Sequence, residues 1–122
     1  MGIPGFPAAN EFVLLDHRPG SVFRWLQSLQ DPDLAFVVLD PRLVDDTYPI
    51  HLVRKAMGFL DLPEDEEVVV LSLCTIPPRP AKPTVNLLAP IGVGLKTRKG
   101  AQVVLHETRY GARMEFMAAR AA

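Results

Sequence analysis

Spaced by its apolar positions, the chain divides into short β-favouring runs separated by turn residues, with a single stretch of helical period. FVLL at 12–15 predicts a short buried strand, closed by the turn formers of DHRPGS. VFRWLQSL at 22–29 suits two periods. As a strand it sets Phe23, Trp25, Gln27 and Leu29 on one face and Arg24, Leu26 and Ser28 on the other; as a helix it gathers Val22, Leu26 and Leu29. The β-branched and aromatic residues that open it, and the DPD that follows, favour the strand. LAFVVLD at 34–40 is apolar on both faces, the pattern of a central strand. YPIHL at 48–52 predicts an edge strand, because Pro49 has no N–H to give to a ladder.

Val53, Met57 and Leu60 recur at i, i+4 and i+7 and predict one helix over 53–60, ended by DLPEDEE. EVVVLSLCTI at 67–76 is the strongest strand signal, and PPRPAKP at 77–83 reads as a stiff extended linker. Beyond it, 85–88 and 90–95 read as strands interrupted at Ala89-Pro90, which predicts a bulge or break where the strand bends to the other side of a barrel. QVVLH at 102–106 completes a hairpin with 90–95 across Lys99-Gly100. IPGFP at 3–7 is a turn, and the tail from 112 reads as a helix start, a vector remnant or a frayed end. These elements predict an all-β chain: a small β-barrel-like rolled antiparallel sheet with one short helix, in a single domain over 1–122.

Composition supports that class. Twelve prolines in 122 residues are spread along the chain, where they break helices and mark strand ends. The formal net charge of -1 supplies neither a basic field for nucleic acid nor an acidic one. A lone cysteine, Cys74, permits no internal disulfide and suits a reducing compartment. The N-terminus has no signal-peptide pattern and no apolar run spans a membrane, so the cytoplasm is the expected location.

No pattern points to chemistry. His17, His51 and His106 lack metal-ligand spacing, and His51 reads as surface or half-buried filler in an edge strand. Cys74 sits mid-strand among Leu71, Leu73 and Ile76, as a buried inert thiol would. Asp45-Asp46 and EDEE at 64–67 read as solvated loops. Gly92, Gly94 and Gly100 do not form a nucleotide-binding set, so no cofactor is expected. KTRKG at 96–100 is a basic hairpin tip. With Trp25 as a stacking platform, its Lys96, Arg98 and Lys99 support a competing reading, direct binding of single-stranded RNA, against which the net charge speaks.

Four stretches, in order, resemble the FliW family of flagellar assembly factors: GIPGF (2–6), FRWLQSLQDPDLAFVVLDP (23–41), TVNLLAPI (84–91) and QVVLHETRY (102–110). The resemblance implies a non-catalytic, barrel-like cytoplasmic protein that binds flagellin. It also implies binding of CsrA, the carbon storage regulator, which relieves repression of flagellin translation. Free flagellin then sets the occupancy of the shared protein by linkage. The partner-binding residues it suggests are Asn86, Leu87, Ala89, Pro90 and Ile91, then Phe23, Trp25 and Gln27; the alternative is that both motifs serve packing. Two departures stand out. The family pattern has a further N-terminal segment of strands before the first motif, so an unpaired strand edge and self-association are expected. The family motif also places asparagine where this chain has Gly94.

Overall fold

In the computed structural model, which describes residues 11–106 and 109–116, the sheet grows by hairpins from the N-terminal side. Phe12–Asp16 (β1) pairs antiparallel with Arg24–Ser28 (β2), Phe12 opposite Ser28 and Asp16 opposite Arg24. β2 pairs with Ala35–Leu39 (β3), Trp25 opposite Val37. The tight β2–β3 connection is held by its own polar groups. Ser28 Oγ accepts from the N–H of Gln30 (3.2 Å) and of Asp31 (2.9 Å), and Gln27 Nε2 donates among the loop carbonyls, 3.0 Å from that of Ser28. β3 then pairs with the long central strand Val68–Thr75 (β4).

The segment at 48–52 is not an edge strand. Ile50–Ala56 forms the one α-helix among the described residues (α1), and Gly58–Leu60 follows it as a 3₁₀ turn. Pro49 stands at the N-cap, where a missing N–H costs nothing, and its carbonyl accepts from Leu52 at 3.0 Å. The expected helix at 53–60 therefore begins three residues early and its last turn tightens. His51 lies exposed on this helix. Val53 and Met57, one turn apart, are buried against the sheet. Gly92 makes that approach close: a Cβ there would lie 2.2 Å from Met57 Sδ.

The other edge of β4 is shared. Thr84–Val85 (β5) pairs with its upper end, Val85 opposite Cys74, and Ile91–Gly94 (β6) with its lower end, Ile91 opposite Leu71. Six residues of chain span what three cover on β4, so three extra residues are extruded around Ala89-Pro90. The expected break is there. However, both halves return to β4 instead of crossing to the other side of a barrel. Each half acquires its own outer neighbour: Gly100–Gln102 (β7) beside β6, and Met114–Glu115 (β8) beside β5. The β6–β7 turn is centred before Lys99, since Arg98 N–H donates to Gly94 O at 2.9 Å and Arg98 takes φ 60°. The expected strands at 85–88 and 102–106 are correspondingly shorter, and part of the tail is strand. IPGFP and the residues beyond 116 lie outside the described residues.

Two apolar clusters sit on opposite faces of the sheet. On one, Leu26, Val38, Leu71 and Ile91 meet with Phe12, Leu14, Leu73 and Val93 packed around them. Among the described residues no helix packs on this cluster, and strands as far apart as β1 and β6 meet in it because the sheet curls. On the other, Leu39, Val70, Val85 and Leu87 pack against Val53 and Met57 of α1 and against Tyr48 and Tyr110. The architecture is a curled, mainly antiparallel half-barrel with one helix.

Candidate functional site

The motif segment between β5 and β6 is wired into the core by every kind of group it carries. Leu87 and Ile91 have no exposed surface and Pro90 is fully buried, while Asn86 and Ala89 are half-buried. Asn86 Oδ1 accepts from the Ala89 N–H (2.9 Å), closing the local turn, and Gln102 Nε2 donates to Ala89 O (3.0 Å). Both Leu87 and Leu88 donate to Gly111 O, and Tyr48 donates its hydroxyl to Leu87 O at 2.6 Å. Three separate parts of the chain thus satisfy the backbone that the extrusion frees from β4. Leu87, Pro90 and Ile91 offer no side-chain surface to a partner in this conformation.

Phe23, Trp25 and Gln27 separate. Phe23 precedes β2, is half-buried, and sets its ring edge-on to Phe116 with centroids 6.0 Å apart. Gln27 is occupied in the β2–β3 loop. Trp25 alone faces outward, 37% exposed, opposite Leu15 at 46%, with Val13 next on the same face at 37%. Among the described residues, α1 covers this face over β4 but does not reach β1 and β2, where these three part-exposed side chains form an apolar strip. His17 lies edge-on to the Trp25 ring, 5.9 Å between centroids.

Two carboxylates that read as loop charges have structural work. Glu66 is buried, and its Oε1 accepts from the backbone N–H of Lys96 (2.5 Å) and Thr97 (2.7 Å) at the basic tip. Burial alone raises its pKa; the N–H donors of Thr97 and Lys96 outweigh that and hold it below the usual carboxylate value. Gly94 explains how it fits. A Cβ there would stand 3.0 Å from Glu66 Cδ and 2.9 Å from Thr97 Oγ1, so Glu66 occupies the space a side chain at 94 would need. Arg54 of α1 in turn donates to the carbonyls of Pro63, Glu64 and Glu66, fixing the turn that delivers Glu66. Local spacing does not mark Glu66, because its partners lie some thirty residues away.

Asp45 is the second. Its carboxylate accepts from Thr47 Oγ1 and from Tyr110 Oη, both at 2.6 Å, from the Thr47 N–H, and from Arg109 at 3.2 Å. The Thr47 and Tyr110 hydroxyls, with Arg109 nearby, hold its pKa down at about 2. The Arg109 guanidinium also lies over the Tyr110 ring, 4.9 Å from its centroid, and the Tyr110 and Tyr48 rings pack tilted at 53° with centroids 4.9 Å apart. The cluster ties the last described segment to the loop before α1.

Neither arrangement has the form of a catalytic site. Cys74 is half-buried in β4 and burial pushes its thiol up to about 12, far from a nucleophile's range. Among the described residues no group of three His, Cys, Asp or Glu side chains gathers as metal ligands, and no helix is long and apolar enough to cross a membrane. Lys96, Arg98 and Lys99 are exposed at the tip, but the acidic turn at 64–67 lies directly against it, Leu95 N–H donating to Glu67 O at 2.9 Å.

The fold defines a class: a small, mainly antiparallel β-barrel-like protein, with part-exposed apolar side chains on the β1–β2 face of its sheet. The sequence model of the FliW protein family matches residues 1–116. The chain is 33% identical over 110 residues to a flagellar assembly factor FliW of Caldanaerobacter subterraneus subsp. tengcongensis, covering 89% of this chain and 73% of that one. It is 39% identical over 110 residues to that of Pseudothermotoga lettingae, covering 89% and 70%. A crystal structure of the flagellar assembly factor FliW superposes with a TM-score of 0.82 at 33% identity, over 93% of this chain and 79% of that one. The chain belongs to the FliW family.

Proposed function

We propose that this chain is a non-catalytic flagellar assembly factor of the cytoplasm that binds flagellin and the translational repressor CsrA in competition, so that the free flagellin pool sets repressor activity. Membership of the FliW family supports the flagellar role. The observation that carries the binding reading is the strip of Val13, Leu15 and Trp25, adjacent large apolar side chains that stay 37–46% exposed on the face that α1 packs over β4. An aromatic anchor flanked by aliphatic neighbours is the usual centre of a protein interface. Asn86, Leu87, Ala89, Pro90 and Ile91 then act behind the surface, by setting the curl of the sheet, and Phe23 and Gln27 hold the ends of β2.

The test is calorimetric titration of the chain against flagellin and CsrA from the same organism, across a salt series. Saturable, mutually exclusive binding with weak salt dependence is expected, and Trp25→Ala weakens it tenfold or more with the fold intact. Absence of binding to either partner by a chain that unfolds cooperatively overturns the reading. Steeply salt-dependent binding of an RNA oligomer, lost with Lys96→Ala, Arg98→Ala and Lys99→Ala, would favour the nucleic-acid reading instead.

A further inference from the structure

The tip between β6 and β7 turns two backbone donors inward. Lys96 and Thr97 both give their N–H to Glu66 Oε1, at 2.5 and 2.7 Å. The loop that carries them is closed by Gly94 N–H on Lys99 O and by Arg98 N–H on Gly94 O, each 2.9 Å. Two successive backbone N–H groups turned into one concavity are how loops bind oxyanions. Lys96, Arg98 and Lys99 stand exposed at the rim, and none of them makes an ion pair among the described residues. The occupant comes from the chain itself. Glu66 is only 3% exposed, and its Oε2 has no hydrogen-bond partner among the described residues, so one oxygen holds the carboxylate. It arrives from outside the hairpin: Arg54 of α1 donates to the carbonyls of Pro63, Glu64 and Glu66, and Gly94 leaves the room that the carboxylate takes. Burial works against the charge, and the N–H groups of Thr97 and Lys96 outweigh it.

We propose that the tip is an oxyanion site which Glu66 fills from within, an autoinhibitory contact that denies it to carboxylates and phosphates from outside. Both N–H donors are taken by Glu66. The buried charge also weakens the pull of Lys96, Arg98 and Lys99 on a second anion. The three cations therefore surround a closed site. Opening it requires only that the Glu66 side chain leave, because the donors are backbone groups of a separate hairpin with its own closing hydrogen bonds. The vacated space then takes a small planar carboxylate, which reproduces the group that left. The proposal does not rest on flagellin or CsrA binding; it concerns the tip, and the strip lies on β1 and β2.

Sodium formate is the probe, titrated into the full chain and followed by the amide resonances of Lys96 and Thr97. In Glu66→Ala both amides are expected to shift saturably in the millimolar range, as suits so small a ligand. They are also expected to exchange with solvent about tenfold faster than in the wild type until formate is added. Sodium chloride at the same ionic strength is expected to do neither. The wild type is expected to respond neither to formate nor to inorganic phosphate. The same holds for Glu66→Gln, whose side-chain oxygen can still accept both N–H groups. If Glu66→Ala does not unfold cooperatively in buffer, formate and not chloride is expected to restore the transition. Formate that neither shifts these amides nor restores the fold of Glu66→Ala overturns the proposal, as does chloride that acts as well as formate. A wild-type or Glu66→Gln tip that responds to formate or phosphate as the alanine variant does to formate also overturns it.

Discussion

Tyr48 reaches from the start of α1 to donate its hydroxyl to the carbonyl of Leu87, 39 residues away and at the point where the strand has left β4. Both groups are buried, and burial raises the Tyr48 phenol's pKa further still, so it remains a neutral donor throughout the usual pH range. Tyr48→Phe strands the Leu87 carbonyl in an apolar setting and is expected to cost about 1–3 kcal/mol. Urea denaturation measures it. A change under about 0.5 kcal/mol would mean the carbonyl finds another donor.

Leu87 and Trp25 carry opposite expectations. Leu87→Ala opens a cavity in a fully buried position and is expected to cost about 2–5 kcal/mol. Leu87→Asp is expected to abolish cooperative unfolding altogether, because it places a carboxylate at a position with no exposed surface inside the apolar cluster. Trp25→Ala, at a side chain more than a third exposed, moves the midpoint little and is read in partner affinity. Circular dichroism melts and titration, done on the same preparations, separate the two roles.

Asp45 gives the chain a pH dependence with a defined sign. Its folded pKa of about 2 lies below the ordinary 3.8, so the unfolded chain binds the proton more readily. The stability it contributes is complete above about pH 4 and is lost as pH falls toward 2. Glu66 is shifted in the same direction and adds to the same slope. Asp45→Asn should flatten the dependence of the melting temperature between pH 4 and 2.

Gly92 predicts a coupled pair. Gly92→Ala drives a methyl into Met57 and should cost about 1–3 kcal/mol. Shortening the obstacle, in Gly92→Ala with Met57→Val, should recover part of it. A double-mutant cycle with no coupling energy would place the strain elsewhere.

The buried hydroxyl of Ser72 has no hydrogen-bond partner among the described residues, at a position with no exposed surface. Ser72→Ala is therefore expected to be neutral or mildly stabilising, in contrast to the usual cost of a core substitution. Chemical denaturation decides.

The strands were legible where a local pattern repeats: the runs around Leu26, Val38 and Leu71 have the period and composition of sheet, and the structure builds sheet there. Pro49 misled because a proline excluded from a ladder is equally at home at a helix start, and only the burial of Val53 and Met57 from Ile50 onward chooses between them. The break at Ala89-Pro90 was visible, since proline withdraws a donor. Its outcome was not, because the return of both halves to β4 depends on Tyr48, Gln102 and Gly111. The same holds for the site. Trp25 could be singled out as an aromatic in a short strand, but its exposure depends on where α1 stops. Glu66 and Asp45 looked like solvated charge because their donors, Lys96, Thr97 and Tyr110, are distant in sequence.

The three residues extruded between Val85 and Ile91 also uncouple phase. In an uninterrupted strand, the register of one end dictates that of the other, and a slip by one residue turns every side chain over. Here β5 and β6 are set against β4 separately, so an error in one need not propagate into the other. What keeps them in step is off the ladder: Tyr48, Gln102, the Gly111 carbonyl, and the backbone N–H groups of Val103 and Leu105, which donate to Pro90 and Leu88. A substitution that loosens those ties would leave two correctly paired half-strands out of alignment with each other, a fault of assembly invisible to secondary-structure content.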